Sequence, residues 1–289
     1  MRKGFFHVEE INSRLIRITD VADTHMYLVL GDNESALLDT GVGVGDLRDL
    51  VKKLTDKPVK VLITHGHIDH AMGAGQFEKV YMNKKDHDLY IEHSDPDMRV
   101  RYIHGVLFGD PENPETAFVT KEMLQQPKPI SEFHPMNYGD CFDLGGITIK
   151  ALDGHGHTPG CTIFLIPELR ILLTGDACNP FTFLFDESCP SVTEYREMLL
   201  NLKKETDGAY DKILLNHGGD LEEPLKLIDS VIDVCDDILN GNTADEPFTG
   251  FHGETVNVAK AMILDMETGY FRRTDGKVGN VVYNPSNVR

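Results

Sequence analysis

Residues 62–73 read Leu-Ile-Thr-His-Gly-His-Ile-Asp-His-Ala-Met-Gly. His65, His67, Asp69 and His70 put three imidazoles and a carboxylate within six residues. Zinc takes His nitrogen and carboxylate oxygen, so this set can supply most of a coordination shell. A polar loop that happens to be rich in His is the alternative reading. Four ligand-type residues at this spacing favour the metal.

Such side chains need a rigid support. Val59-Lys60-Val61-Leu62-Ile63 reads as a buried strand leading directly into the cluster. Three later segments repeat the pattern. A strand over 146–152 runs into Asp153-Gly154-His155-Gly156-His157-Thr158-Pro159-Gly160. Arg170–Thr174 runs into Gly175-Asp176, and Lys212–Asn216 into His217-Gly218-Gly219. Glycine permits the sharp turns that strand ends need. A lone His or Asp after a strand is an ordinary turn residue or cap. Taken with the first cluster, these segments offer seven candidate ligands, enough for two metal ions.

These motifs resemble the metallo-β-lactamase fold superfamily of binuclear metal hydrolases. The family's His-x-His-x-Asp-His is matched by His65, His67, Asp69 and His70. Its Gly-His-Thr-Pro-Gly is matched by residues 156–160, its Thr-Gly-Asp by 174–176, and its last histidine by His217. Leu37-Leu38-Asp39-Thr40-Gly41 also fits many members. The resemblance implies a mixed α/β fold, a four-layer αββα sandwich with metals at one edge of its sheets.

It also implies a division of labour. His65, His67 and His157 would hold one divalent ion; Asp69, His70 and His217 the other; Asp176 would bridge both. Zinc is the first expectation, and manganese or iron suits the same donors. Asp69, His70 and Asp176 are the candidate catalytic residues, beside a bridging hydroxide that acts as nucleophile. Cys161 and Cys178 are then packing residues, with Cys178 as a pocket-lining alternative. His155 matches no family ligand and is expected to act structurally or behind the ligands, with substrate contact as the alternative. Three departures narrow the branch. Asp176 stands where antibiotic-hydrolysing zinc enzymes carry Cys. Asn179 stands where quorum-sensing lactonases carry Tyr. His67 stands where the oxygen-reducing diiron branch carries Glu. No glutathione-binding set of the glyoxalase II type is evident.

Composition bounds the partners. The 289 residues carry a net charge of −19, which argues against a polyanionic nucleic acid. Five cysteines without a Cys-x-x-Cys pair suit a reducing compartment. Met1–Glu9 lacks the apolar stretch of a signal peptide, and no window has the length of a membrane span. A cytoplasmic enzyme with a small-molecule substrate and no membrane partner is expected; a homodimer is left open.

Along the chain, 15–19, 26–30, 35–38 and 80–82 read as strands. A helix follows Asp46, another runs from Asp69 through Phe77, and Ser191 with Glu194 forms a capping box before a third. Leu225 to Leu239 marks a fourth. One domain over 1–289 is expected, with an insertion at about 84–136 and an extension from about 241. The insertion holds His87, Tyr90, His93, Met98, Tyr102, His104 and Phe108. It is read either as a cap shaping the substrate pocket or as packing or a dimer interface. Phe181 to Phe185 reads as a pocket wall or as core. In the tail, Thr255–Val258, Tyr270–Arg272 and Val281–Tyr283 suggest strands. The expected activity is hydrolysis of a small ester, thioester or lactone. A phosphodiesterase and a non-catalytic metal-binding regulator are the alternatives.

Overall fold

Residues 4–106, 112–250, 253–264 and 271–289 are described by a computed structural model of the chain. Met1 to Lys3, Phe108 and Tyr270 lie outside the described residues. The chain divides into two compact units, residues 1–151 and 152–289.

The first unit is built on strands β1 (His7–Asn12), β2 (Leu15–Thr19), β3 (His25–Leu30) and β4 (Ser35–Leu38), paired antiparallel in sequence. Helix α1 (Leu47–Leu54) follows, with Asp46 as its N-cap accepting from the Asp49 N–H. It leads to β5 (Val59–Leu62), which pairs parallel to β4. Beyond it come α2 (Ile68–Ala71), β6 (Val80–Met82), α3 (His87–His93), α4 (Pro96–Ile103) and β7 (His134–Pro135). β5, β6 and β7 are mutually parallel and complete a seven-stranded sheet. β8 (Cys141–Asp143) and β9 (Thr148–Asp153) form an antiparallel pair. Ile18, Leu28, Leu37, Val61 and Ile63 are fully buried in one core with Val51 of α1. Parallel pairing here means that the segments after β4, β5 and β6 leave from the same end of adjacent strands, where open α/β sheets carry their ligand sites.

The helix expected over 69–77 is broken in two. α2 stops at Ala71, and a 3-10 turn covers Ala74–Gln76. The His70 carbonyl accepts instead from Thr40 N (2.7 Å) and Thr40 Oγ1 (3.0 Å), so the ladder bond that would continue the helix is taken. Gly73 and Gly75 weaken helical propensity further.

The second unit contains β10 (Thr162–Ile166), β11 (Ile171–Leu173), β12 (Thr182–Leu184), α5 (Val192–Glu205), β13 (Lys212–Leu214) and α6 (Leu227–Leu239). β11 pairs antiparallel with β10 and parallel with β13. The capping box of Ser191 and Glu194 starts α5. Tyr195, Met198, Leu199 and Leu202 of α5 share a core with Val231, Cys235 and Ile238 of α6, and Arg196 pairs with Asp236 (2.6 Å) between the helices. α6 begins at Leu227 because Pro224–Lys226 forms a 3-10 turn. β14 (Glu246–Thr249), β15 (Thr255–Val258), β16 (Met262–Leu264), β17 (Phe271–Arg273) and β18 (Val281–Tyr283) follow. β12 joins β18, β15 and β14 in a four-stranded sheet, so the Phe181–Phe185 run is tied to the tail.

Candidate metal centre

In the first unit the four motif residues sit where β5 ends and α2 begins. His65, Asp69 and His70 are buried, and His67 is half-buried. His65 Nε2 lies 3.0 Å from His67 Nδ1, and His70 Nε2 lies 3.3 Å from Asp69 Oδ2.

What aims these rings comes from the end of β4. Asp39 is fully buried. Its carboxylate accepts from Thr64 N (2.7 Å), Thr64 Oγ1 (2.8 Å) and His70 Nδ1 (2.9 Å). A carboxylate only accepts, so the His70 proton sits on Nδ1 and Nε2 keeps its lone pair. Thr64 Oγ1, donating to Asp39, is 3.0 Å from His65 Nδ1, which orients that ring the same way. Buried Asp20 supports the turn after Asp39 by accepting from Val42 N (2.8 Å), Thr24 N and Ala22 N. Burial pushes its carboxyl up to about 6 despite these bonds.

In the second unit, Asp176 follows β11 and His217 follows β13, the parallel pair. His157 Nε2 lies 3.7 Å and His217 Nε2 lies 3.5 Å from Asp176 Oδ2. The His157 Nδ1 donates to the Phe183 carbonyl at 2.9 Å, which again puts the proton on Nδ1 and the lone pair on Nε2. Asn179 stands 3.4 Å from Asp176 Oδ1 through its Nδ2 and turns the chain by accepting from Phe181 N.

The donor geometry fits a metal. Two ligands of one tetrahedral zinc ion stand ~3.3 Å apart, given bonds of ~2.0–2.1 Å. The four ligand-to-ligand separations above run from 3.0 to 3.7 Å. For His65, His70 and His157 the nitrogen opposite the facing one is held by an acceptor, as in metal-binding histidines. His and Asp groups that could hold a metal ion are therefore present among the described residues.

His155 does not join them. Its Nδ1 pairs with Asp153 Oδ1 at 2.7 Å in a turn. His155→Ala is expected to leave metal content unchanged by elemental analysis; loss of an ion would show that the ligand set is wrong. Cys161 and Cys178 are fully buried in the core of the second unit. Burial pushes the Cys178 thiol up to about 12, in keeping with a packing role. Cys141 is exposed and the other four cysteines are buried. A native thiol titration should give one fast equivalent and five after unfolding; a second fast equivalent would contradict this packing.

The metallo-beta-lactamase superfamily profile matches residues 19–217. The chain belongs to the metallo-beta-lactamase superfamily. Over 150 residues it is 30% identical to an uncharacterised protein of Mycobacterium tuberculosis (strain ATCC 25618 / H37Rv), an alignment covering 50% of this chain and 62% of that one. Over 180 residues it is 27% identical to an atrochrysone carboxyl ACP thioesterase of Cryptosporiopsis sp. (strain 8999), covering 58% of this chain and 45% of that one. The chain thus spans less than two thirds of the length of these curated relatives.

Among solved structures, a metallo-beta-lactamase from Pontibacter korlensis has a TM-score of 0.55 at 17% identity, over 79% of this chain and 97% of that one. The sec-alkylsulfatase Pisa1 from Pseudomonas sp. has a TM-score of 0.62 at 14% identity, over 82% and 42%. Both likenesses bear out the expected fold class, the mixed α/β fold of metallo-beta-lactamases. Superfamily membership makes the chain a member of a hydrolase superfamily with His and Asp groups suited to metal. Among the described residues, no helix is long and apolar enough to cross a membrane.

The sequence motifs named every ligand-type residue found in these groups. They did not reveal Thr64, Asp20 or the Phe183 carbonyl, and Asp39 was visible only as part of Leu-Leu-Asp-Thr-Gly. Tyr102 was visible only as one aromatic residue among those of 84–136.

Proposed function

We propose that the chain is a two-metal hydrolase of small acyl substrates, with thioesters first and simple esters and lactones as related substrates. In this reading His65, His67 and His157 would hold one ion, Asp69, His70 and His217 would hold the second, and Asp176 would be a ligand common to both. The observation that carries it is the set of donor separations in each unit, all close to the ligand spacing of a single tetrahedral ion. Two divalent ions, zinc or else manganese or iron, would supply an activated water at neutral pH and Lewis-acid stabilisation of the reacting oxygen.

The chain's own residues do the holding. Asp39 and the Phe183 carbonyl fix the tautomers of His70 and His157. Asp176, with Asn179 beside it, supplies a carboxylate near both His157 and His217. Phe181, Phe183 and Phe248 are half-buried and in mutual ring contact next to His157, and would exclude water on the acyl side. The thioesterase named among the relatives supports the choice of thioester. A small-molecule substrate, a cytoplasmic location and no dependence on nucleic acid or membrane go with this reading.

The test is a hydrolysis panel with and without chelator. It comprises an acyl thioester, p-nitrophenyl acetate, a lactone and bis-p-nitrophenyl phosphate. Thioester or ester cleavage that chelator removes and added zinc or manganese restores is the expected result. Chelator-insensitive cleavage would overturn the reading. Preference for the phosphodiester would transfer it to a phosphodiesterase. Tight metal binding without turnover on any member would transfer it to a regulatory metal protein.

A further inference from the structure

The His-x-His-x-Asp-His segment is gripped from one side by residues 86–102. Asp86 Oδ2 accepts the Gly66 N–H at 3.0 Å. A Cβ on Gly66 would come within 2.8 Å of the Asp86 carbonyl and 3.1 Å of Tyr90 N, so only glycine allows this approach. The His93 ring, at the end of α3, stacks on His67 with centroids 4.8 Å apart and planes 15° apart. The Tyr102 hydroxyl, on α4, donates to Asp69 Oδ2 at 2.7 Å.

The last contact has the clearest chemical consequence. The oxygen it reaches is the one 3.3 Å from His70 Nε2. A carboxylate oxygen has two acceptor directions. The phenol takes one of them, and the same oxygen faces His70 Nε2, with which it would share an ion. Turning the Asp69 carboxylate would break the Tyr102 bond, so the phenol selects both the oxygen and the rotamer. The phenol is itself anchored. Arg99, three residues earlier and hence on the same side of α4, is buried and donates to the carbonyls of Gln125 (2.9 Å) and Val42 (3.2 Å). Asp95 caps that helix by accepting from Met98 N at 2.8 Å, with Pro96 in its first turn.

We propose that Tyr102 is a positioning residue for the second metal: its O–H presents Asp69 Oδ2 to the ion held with His70. This role rests on the two-metal reading above. It also gives the start of the insertion a defined task, holding the metal loop from outside.

The experiment is a cobalt titration of the metal-free protein followed by visible absorption. Wild type should take up two ions. Tyr102→Phe should bind the first with an unchanged dissociation constant and the second about 10–100-fold more weakly, the usual cost of losing such a supporting bond. Its kcat should fall at limiting metal and recover at saturating metal, with KM and the melting temperature of the metal-free protein unchanged. Equal dissociation constants for both ions in the two proteins would overturn the role of Tyr102 and leave the two-metal reading standing. Uptake of a single ion by wild type would overturn the two-metal reading, and the role of Tyr102 with it.

Discussion

Asp176→Ala is expected to bind fewer than two ions per chain and to lose ~10³-fold or more in kcat/KM, about 4 kcal/mol of transition-state stabilisation. The reason is its position. Its Oδ2 is within 3.7 Å of the Nε2 of both His157 and His217. No other ligand in the proposed set is shared, so this one truncation removes a donor from each ion. It also removes one of only two carboxylates that offset the charge of the ions. The fold should survive, because the Asp176 side chain is 14% exposed and is not part of the apolar core of its unit. Asp176→Asn keeps the shape and loses the charge, and should fall between wild type and alanine. Elemental analysis with initial rates decides it. Two retained ions with near-normal turnover would refute the bridging role.

Asp39→Ala is expected to act on both stability and metal. Three donors, Thr64 N, Thr64 Oγ1 and His70 Nδ1, lose their acceptor at a site with no exposed surface. Stranding buried donors costs ~1–3 kcal/mol each, and relaxation reduces the sum, so about 3 kcal/mol is expected. His70 also loses the bond that sets its tautomer and ring orientation, which should weaken the ion at His70 ~10–100-fold. Urea denaturation of the metal-free protein reads the first effect, and a cobalt titration reads the second. A destabilised protein with wild-type metal affinity would show that Asp39 only builds the loop. The two variants therefore differ in kind, since Asp176→Ala should spare the metal-free fold.

The sequence carried what is local. The strand-then-ligand pattern was readable at Val59–His70, at Arg170–Asp176 and at Lys212–His217 because apolar runs and ligand residues are neighbours in the chain. The capping box at Ser191 and Glu194 was readable for the same reason. What escaped depends on register. Asp39 reaches Thr64 and His70 only because β4 and β5 pair in parallel, and the partners are 25 and 31 residues away. The partner of His157 is a backbone carbonyl, which leaves no mark in residue types. The break after Ala71 follows from Thr40 taking the His70 carbonyl, a contact that helical periodicity cannot foresee. Nothing in the 84–136 composition set Tyr102 apart from Tyr90. Only the direction of its hydroxyl, toward Asp69 rather than Lys128 N, separates their roles.

Anomalous diffraction from crystals grown with zinc, recorded at the zinc edge, tests the central claim most directly. The account predicts two peaks ~3.5–4 Å apart. One should be bound by His65, His67 and His157, the other by Asp69, His70 and His217, with Asp176 touching both. A single peak, or zinc held by other side chains while these seven stand without it, would contradict it.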